Sequence, residues 1–243
     1  MSWYKISQFS NVLNAARSSG YIIQAYHGGS FNIEENSVFE ISGFGVHFGT
    51  YDAAEYRIGS APVDHYIEEM EVEEFEGSWY FSIAGYDDET PYDSEDEARA
   101  AGEKAAVEMG NNSDLYYQNF ITSVYLKLEN PIKLPDLGTW AISDIIRNLP
   151  EKAKFSNVEL DMINKSITSG EYGNEWELLR EILISKGFDG VIYRNMVEGK
   201  PANSYIIFKS SQVKSSDEVT YDDSGNPIPL SDRFDSENPD IRY

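Results

Sequence analysis

Short, largely alternating apolar runs dominate the hydrophobic pattern of this chain and predict strands. Three such runs lie at Tyr21–Tyr26, at Val46–Gly49 and at Ile121–Glu129, and Asn130–Pro131 ends the last of them. Two further strands are predicted in "FDGVIYRN" and "NSYIIFK", which are separated by "MVEGKPA". Near the C-terminus a small hairpin is predicted around Ser224-Gly225-Asn226, followed by a polar tail.

Four other segments have the spacing or the end signals of helices. The N-terminal "MSWYKISQFSNVLNAARSSG" is amphipathic, and a second helix is predicted to start at Asp52–Arg57. "GTWAISDIIRNLP" predicts a helix closed by Pro150, and "GNEWELLREILISKG" predicts one that ends at the capping glycine Gly187. The strands are short and mostly too close in sequence for regular βαβ crossovers, so the pattern indicates an α+β fold. Neither GxGxxG nor a Walker A motif is present, which argues against doubly wound nucleotide-binding folds.

Residues 66–114 form an acidic block with its own pattern. The block holds sixteen Asp and Glu against two Lys and Arg, in a chain whose net charge is −23. "EVEEFEGSWYFSIAG" predicts two strands with a turn at Glu76–Gly77, and the following residues predict a loop and a capped helix ending at Gly110. This arrangement indicates an insertion, so the main domain is predicted at 1–65 and 115–243. The block is either a solvated decoration or a docking face for a basic partner.

Composition excludes several classes of protein. No run of about eighteen apolar residues is present, so no membrane span is expected, and the N-terminus lacks the apolar core of a secretion signal. The absence of cysteine excludes disulfides, thiolate metal sites and a cysteine nucleophile, and it is consistent with a cytoplasmic location. A pI near 4.3 disfavours nonspecific nucleic-acid binding, because the phosphate backbone would be repelled.

The residues that suggest chemistry lie in "YHGGS" at 26–30 and "GFGVHFGTYDAAEYR" at 43–57, which hold two of the three histidines. The glycines leave bare backbone beside His27, so the peptide of Gly28 could pair with a carboxamide while the imidazole bonds a sugar hydroxyl. The rings that could stack on a flat ligand are Tyr26, Phe48, Tyr51 and Tyr56. These groups suit a nicotinamide riboside, whereas the plainer interpretation makes His27 a strand-end residue satisfied by local backbone. No zinc site is expected from this histidine spacing.

Three motifs resemble, in order, those of ADP-ribosyltransferases of the diphtheria-toxin and poly(ADP-ribose) polymerase type. "YHGGS" resembles the His-Gly motif, "GFGVHFGTYDAAEY" the second motif, and "NSYIIFKSSQV" the third. The chain is more similar still to the ADP-ribosyltransferase-like domains of bacteriophage and mobile-element polyvalent proteins. Those domains carry "HFGT", "NPI.L.D.G.W", "GFDGVIY.N..EG" and "SYIIF", and often a tail ending in "NPDIRY". The resemblance covers nearly the whole chain outside the acidic block.

The resemblance implies a split, two-sheet fold that holds NAD in a cleft. His27 would bind a ribose hydroxyl, and the backbone of Gly28 would hold the nicotinamide carboxamide. A tyrosine usually stacks on the nicotinamide, but the matching position here is His47, so either His47 stacks there or Tyr51 or Tyr56 does. The full set of expected NAD contacts is Tyr26, His27, Gly28, His47, Phe48, Gly49, Tyr51, Tyr56, Asn195, Ser204 and Gln212.

The catalytic acid is where this chain departs from the pattern. The third motif normally begins with a strand glutamate, and Ser204 occupies that position. The nearest glutamate is Glu198, in the loop between the two strands, and we expect it to act as the catalytic acid with support from Asn195. The plainer interpretation makes Glu198 an ordinary exposed loop acid. Met196, two residues before Glu198, gives no support for an arginine acceptor, because arginine-specific members carry Glu or Gln there.

Two functions follow from the resemblance. The first is an NAD-dependent mono-ADP-ribosyltransferase that modifies a macromolecule, with a host protein expected as the acceptor, and that acts in the cytoplasm, with delivery in a virion as a further implication. The second is an inactive binding module of the same fold, whose acidic block docks a basic partner or imitates a nucleic acid. The serine at position 204 is the sequence feature that keeps the second function open.

Overall fold

The structure, a computed structural model, describes residues 3–33, 36–83, 85–112, 120–138, 140–168 and 174–243. Its mixture of helices and sheets confirms the predicted α+β class. In chain order the elements are α1 (Trp3–Ser18), β1 (Ile23–Gly29), β2 (Val46–Phe48), α2 (Tyr51–Glu68), β3 (Met70–Phe75), β4 (Ser78–Ile83), β5 (Tyr86–Asp87), α3 (Glu95–Asn112), β6 (Phe120–Leu126), β7 (Ile132–Leu134), α4 (Ile142–Asn148), α5 (Asn157–Thr168), α6 (Asn174–Ser185), β8 (Gly190–Asn195), β9 (Ala202–Ile207) and β10 (Val213–Ser215).

The chain divides into two compact units. The first comprises Met1–Glu55 and Phe120–Tyr243, and the second comprises Tyr56–Asn119. The second unit therefore begins earlier than the acidic block at 66–114, because α2 runs through the expected boundary without a break. Among the described residues, no helix is both long and apolar enough to cross a bilayer.

Two sheets form the framework of the first unit. One has the order β1-β6-β10 and is antiparallel throughout. The other has the order β2-β9-β8-β7, and β7 pairs in parallel with β8 after a connection that contains α4, α5 and α6. The strand order and the length of that connection could not be obtained from the hydrophobic pattern, which left β7 undetected.

Apolar layers hold the two sheets and their helices together. Alternation along β6 turns Val124 toward a cluster shared by both sheets and turns Tyr125 toward α1. The shared cluster includes Phe48 of β2 and Ile207 of β9, so the sheets face each other. The other face of the β2-β9-β8-β7 sheet packs against α4, α5 and α6.

Local end signals explain several element boundaries. The helix α6 is followed by Gly187 at φ +85°, and the Phe188 N–H donates to the Leu183 carbonyl (3.1 Å), as the predicted glycine cap requires. The helix α5 was not predicted, although its signal was present. Ser156 and Glu159 form a capping box, in which the Glu159 carboxylate accepts from the Ser156 N–H (2.7 Å) and the Ser156 Oγ accepts from the Glu159 N–H (3.3 Å).

The second unit contains the predicted hairpin and helix. The strands β3 and β4 are joined at Glu76 (φ 52°) and Gly77 (φ 83°), which confirms the predicted turn. The helix α3 covers one face of this sheet through Phe81 and Ile83. The predicted hairpin near the C-terminus also forms, since Asp222 and Asn226 are hydrogen-bonded across the turn (2.9 Å). The tail beyond it is hydrogen-bonded to the rest of the first unit, since the Ile241 N–H donates to the Ser37 carbonyl (2.8 Å).

Candidate functional site

The two sheets of the first unit join, and then separate, where β1 meets β2. Tyr26 and Gly49 exchange both backbone hydrogen bonds, each 2.9 Å long. The next facing pair along these antiparallel strands would be Gly28 and His47, but the His47 carbonyl instead accepts a hydrogen bond from Nδ1 of His27 (2.9 Å). A gap between the strands therefore opens beside Gly28.

The peptide groups of Gly28 point into this gap. Facing residues of an antiparallel pair alternate between bonded and non-bonded positions, and Tyr26 directs its N–H and C=O away from β6, toward Gly49. Gly28 lies two residues further along β1, so its N–H and C=O point the same way. Within the described residues, neither group has a hydrogen-bond partner on that side. One donor and one acceptor thus lie side by side at the edge of the gap.

The absence of a side chain at Gly28 makes room for α2 rather than for a ligand above the strand. A Cβ built on Gly28 would lie 2.2 Å from the carbonyl oxygen of Ala54, in the first turn of α2. Glycine is required here because the helix backbone presses against the strand, and the open face that was expected for a ligand is filled by α2. The peptide groups lie on the edge of the strand rather than on the face that α2 covers, and Gly28 is partly exposed.

His27 is held in one orientation by its neighbours. Besides the bond to the His47 carbonyl, its ring lies edge-on to Phe39 (centroids 5.1 Å apart) and tilted against Phe48 (5.4 Å). A carbonyl oxygen only accepts, so Nδ1 carries a hydrogen in this contact, and Nε2 is the acceptor of the ring whenever the ring is neutral. Phe48 is itself buried in the core between the sheets, so it supports His27 rather than lining the gap.

The acid side of the site is built on β8 and β9. Asn195 is buried at the end of β8, and its Nδ2 donates to Oε2 of Glu198 (2.7 Å) and to Oγ of Ser204 (3.2 Å). Its Oδ1 accepts from the N–H groups of Val197 (3.1 Å) and Glu198 (3.0 Å), which bends the loop back over the strand. Glu198 is partly buried. Its carboxylate and the Ser204 hydroxyl are therefore linked through the amide group of Asn195.

Gly49 connects the two halves of the site. A Cβ on Gly49 would lie 3.0 Å from Oγ of Ser204, and the backbone of Gly49 is bonded to Tyr26. Tyr26 and Ser204, far apart in sequence, thus lie on either side of Gly49, the residue that follows β2, and Ser204 is in turn bonded to Asn195. Sequence reasoning could name these residues but could not place them together.

The loop that carries Glu198 rests on the first turn of α2. Gly199 (φ +73°) approaches so closely that an added Cβ would lie 3.1 Å from Cβ of Asp52. Lys200 pairs with Asp52 (3.6 Å), a contact of exposed groups that adds little energy. From the other side, the Asp136 carboxylate accepts from the Met196 N–H (2.8 Å). The positive end of the α2 dipole therefore lies next to the loop that holds the acid.

An aromatic group lies on the face of the sheet that also carries Ser204. The His47 ring is perpendicular to Trp140 (5.7 Å), its Nδ1 lies 3.3 Å from the Tyr193 hydroxyl, and Trp140 and Tyr193 meet edge to face (4.5 Å). Trp140 adopts φ +54°, an unusual conformation for a residue with a side chain. Trp140 and Tyr193 were not predicted as site residues, although both occur in the segments "NPI.L.D.G.W" and "GFDGVIY.N" that carry the resemblance.

The other candidate rings lie in different places. Tyr51 is 48% exposed and meets Tyr26 edge to face (5.6 Å), on the side of β1 that α2 covers. Tyr56 belongs to the second unit, so the site described here is formed without it. On the opposite face of β9, burial raises the pKa of Tyr205, which keeps its phenol neutral.

Gln212 lies apart from the gap and serves the fold. It is buried, and its Oε1 accepts from the N–H groups of Phe208 (3.0 Å) and Lys209 (2.8 Å). Its Nε2 donates to the carbonyls of Lys127 (3.2 Å) and Asp189 (2.7 Å). Both ends of the amide are used by backbone groups, so the structure gives Gln212 a role in the fold, and its contact with a cofactor stays a prediction.

Searches of protein-family models, of curated proteins and of solved structures found no match to this chain. Within the described ranges, no group of His, Asp and Glu side chains is arranged to hold a metal ion. Any functional assignment therefore rests on the geometry of the gap between the sheets and on the residues that line it.

Proposed function

We propose that this protein is an NAD-dependent mono-ADP-ribosyltransferase that modifies a protein acceptor. The supporting observation is that Gly49, whose backbone is bonded to the strand of His27 and Gly28, also lies against Ser204, which Asn195 links to Glu198. In this proposal the strand edge binds the carboxamide, the imidazole binds the ribose and the carboxylate of Glu198 faces the sugar. These are the three groups that cleavage of a nicotinamide glycoside needs.

In this proposal the edge of β1 binds the nicotinamide end of NAD. The Gly28 N–H donates to the carboxamide oxygen and the Gly28 C=O accepts from the carboxamide nitrogen, as two parallel hydrogen bonds. Nε2 of His27 accepts from a ribose hydroxyl, because Nδ1–H is committed to the His47 carbonyl. A ring of the aromatic group formed by His47, Trp140 and Tyr193 then stacks on the nicotinamide.

Glu198 supplies the negative charge that the reaction requires. As the C1′–N bond breaks, nicotinamide leaves with the bonding electron pair and positive charge builds on the ribose. A carboxylate that accepts a hydrogen bond from the 2′-hydroxyl stabilises this charge, and Asn195 holds Oε2 so that Oε1 can meet the sugar. The acceptor's nucleophile then bonds to C1′ and releases its proton. A preorganised group of this kind typically contributes about 3–4 kcal/mol.

Titration calorimetry with NAD, together with turnover of labelled NAD, tests the proposal on wild type and Glu198→Gln. The glutamine can still accept from Asn195, so NAD affinity should stay close to that of wild type while turnover falls about 100- to 1,000-fold. Glu181→Gln, the same change on the exposed face of α6, is the matched control and should retain full activity. Failure of the wild type to bind NAD would overturn the proposal.

The alternative is an inactive binding module whose second unit docks a basic partner. Two observations favour it: Ser204 replaces the strand glutamate, and the outer face of the β3–β4 sheet carries Glu71, Glu73 and the exposed ring of Phe75. The full-length variants His27→Ala and Glu71→Gln/Glu73→Gln separate the two functions in a cell-based assay. A phenotype lost only with His27→Ala supports the enzyme, and one lost only with the glutamine pair supports the docking module.

A further inference from the structure

The C-terminal segment, defined here as residues 238–243, is bonded into the first unit. The Ser215 N–H of β10 donates to the Ile241 carbonyl (2.7 Å), and the Ile241 N–H donates to the Ser37 carbonyl (2.8 Å). Val38 and Asp240 form an antiparallel bridge. The segment therefore connects residues 37 and 38 to the edge of the β1-β6-β10 sheet, and Ile241 is buried.

The buried side chain of Lys214 anchors the C-terminal segment. Lys214, only 1% exposed, donates from Nζ to the carbonyls of Asn238 (2.6 Å) and Asp240 (2.8 Å). Removing the Lys214 ammonium group or the carbonyls that it bonds would leave a buried polar group unsatisfied, so the path of the segment is strongly specified. Arg242 adds a hydrogen bond to the Asp240 carboxylate (2.7 Å).

Phe39 connects the residues held by the C-terminal segment to His27. It follows directly after the residues that the C-terminal segment holds, it is 3% exposed, and it shares the core between the sheets with Ile241. Its carbonyl accepts from Oγ of Ser210 (2.6 Å). One face of its ring stacks on Phe31 (3.7 Å), and the ring meets the imidazole of His27 at 78°.

We propose that the C-terminal segment is a positioning element for His27 and that it acts through Phe39. The segment fixes the backbone at residues 37 and 38, and the ring of Phe39 then closes one side of the imidazole. The imidazole is thereby kept in the orientation that brings Nδ1 to the His47 carbonyl. The consequence for NAD rests on the proposed function, whereas the effect on the ring of His27 does not.

Histidine side-chain nitrogen resonances measure this effect directly, because the chain has only three histidines. The wild type should show His27 as the Nδ1–H tautomer, with its signal assigned by His27→Gln. In Phe39→Leu and Ile241→Ala, the two nitrogen shifts of His27 should move toward the averaged values of a free imidazole. The signal of His65, in the second unit, should stay unchanged.

Phe31→Leu is the matched control, since it removes the other ring of the stack and keeps the one that meets His27. It should leave the wild-type tautomer in place. Calorimetry on the same variants should show NAD affinity lowered about tenfold in Phe39→Leu and Ile241→Ala, because the acceptor nitrogen is no longer held in place. If Ile241→Ala does not fold, Lys214→Met replaces it as the test of the C-terminal segment.

The outcomes separate this inference from the proposed function. If the His27 signals shift in the variants but the wild type fails to bind NAD, the positioning role is retained and the enzyme is overturned. Unchanged His27 signals in folded Phe39→Leu and in a folded variant of the segment would overturn the positioning role. Shifted signals with unchanged NAD affinity would also retain the positioning role, and they would overturn the proposed hydrogen bond between His27 and the ribose of NAD.

Discussion

Replacing Asn195 by aspartate should turn a hydrogen bond to Glu198 into a repulsion between two carboxylates. In the wild type, Nδ2 of Asn195 donates to Oε2 of Glu198 across 2.7 Å. Aspartate has the same shape, and one of its oxygens can still accept from the N–H groups of Val197 and Glu198, so the loop keeps its turn. The second oxygen then faces the Glu198 carboxylate with only the Ser204 hydroxyl to bond.

The size of the effect follows from the separation. Two unit charges 2.7 Å apart repel by about 6 kcal/mol at an effective dielectric constant of about 20. Glu198 is partly exposed, and screening by solvent reduces this to about 2–3 kcal/mol. The two carboxyl groups of the Asn195→Asp variant should therefore share one proton, which is released about two pH units above the usual carboxyl range.

Urea denaturation of Asn195→Asp and wild type between about pH 4 and pH 8 measures this repulsion. The folded variant binds a proton that its unfolded chain has released, so its free energy of unfolding should fall relative to wild type as the pH rises. The deficit should be small near pH 4 and should reach about 2–3 kcal/mol above pH 6. The Asn195→Asp/Glu198→Gln double variant lacks the carboxylate pair and should show no such pH dependence. A deficit in Asn195→Asp that is the same at every pH would refute the arrangement of these two residues.

Two other predictions concern the supports of the site. Gly28→Ala should lower the free energy of unfolding, measured in urea, by about 1–3 kcal/mol, because the new methyl group would meet the Ala54 carbonyl. Gly59→Ala is the control, since a Cβ there has open space. Equal stability of the two variants would contradict the close approach of α2. Burial lowers the pKa of Lys214 to about 8, so the unfolded chain binds more protons than the folded chain between pH 8 and the usual lysine range, and stability should rise with pH there. Relative to Lys214→Met, wild type should gain about 2 kcal/mol between about pH 7.5 and pH 9.5 in thermal or urea unfolding, and parallel pH profiles would show that Lys214 is not desolvated.

Local sequence signals predicted the elements that depend on neighbours along the chain. The turn at Glu76–Gly77 and the cap at Gly187 adopt the positive φ angles that their residue types favour. The strand carrying His27 also formed, although it begins two residues later and ends three residues later than its alternation suggested. These features need few partners, so a sequence pattern is enough to predict them.

Residues with long-range partners could be named but not interpreted. Gly28 drew attention as bare backbone for a ligand, yet its missing Cβ accommodates the carbonyl of Ala54. Gln212 matched a motif position, yet its amide bonds four backbone groups of the fold. In both cases a residue type that suits ligand binding equally suits close packing, and only the positions of distant segments distinguish the two uses.

The sequence by itself determined the α+β class, the acidic hairpin and helix, and the residue types around His27 and Glu198. Only the tertiary structure decided that Gly49 lies between Tyr26 and Ser204 and that Asn195 turns Glu198 back toward β9. It also decided that the C-terminal segment is bonded to the residues that precede Phe39, whose ring contacts His27. The physical reason is that hydrophobic alternation specifies which face of a strand is buried, whereas strand order and the meeting of distant loops depend on the packing of both sheets at once.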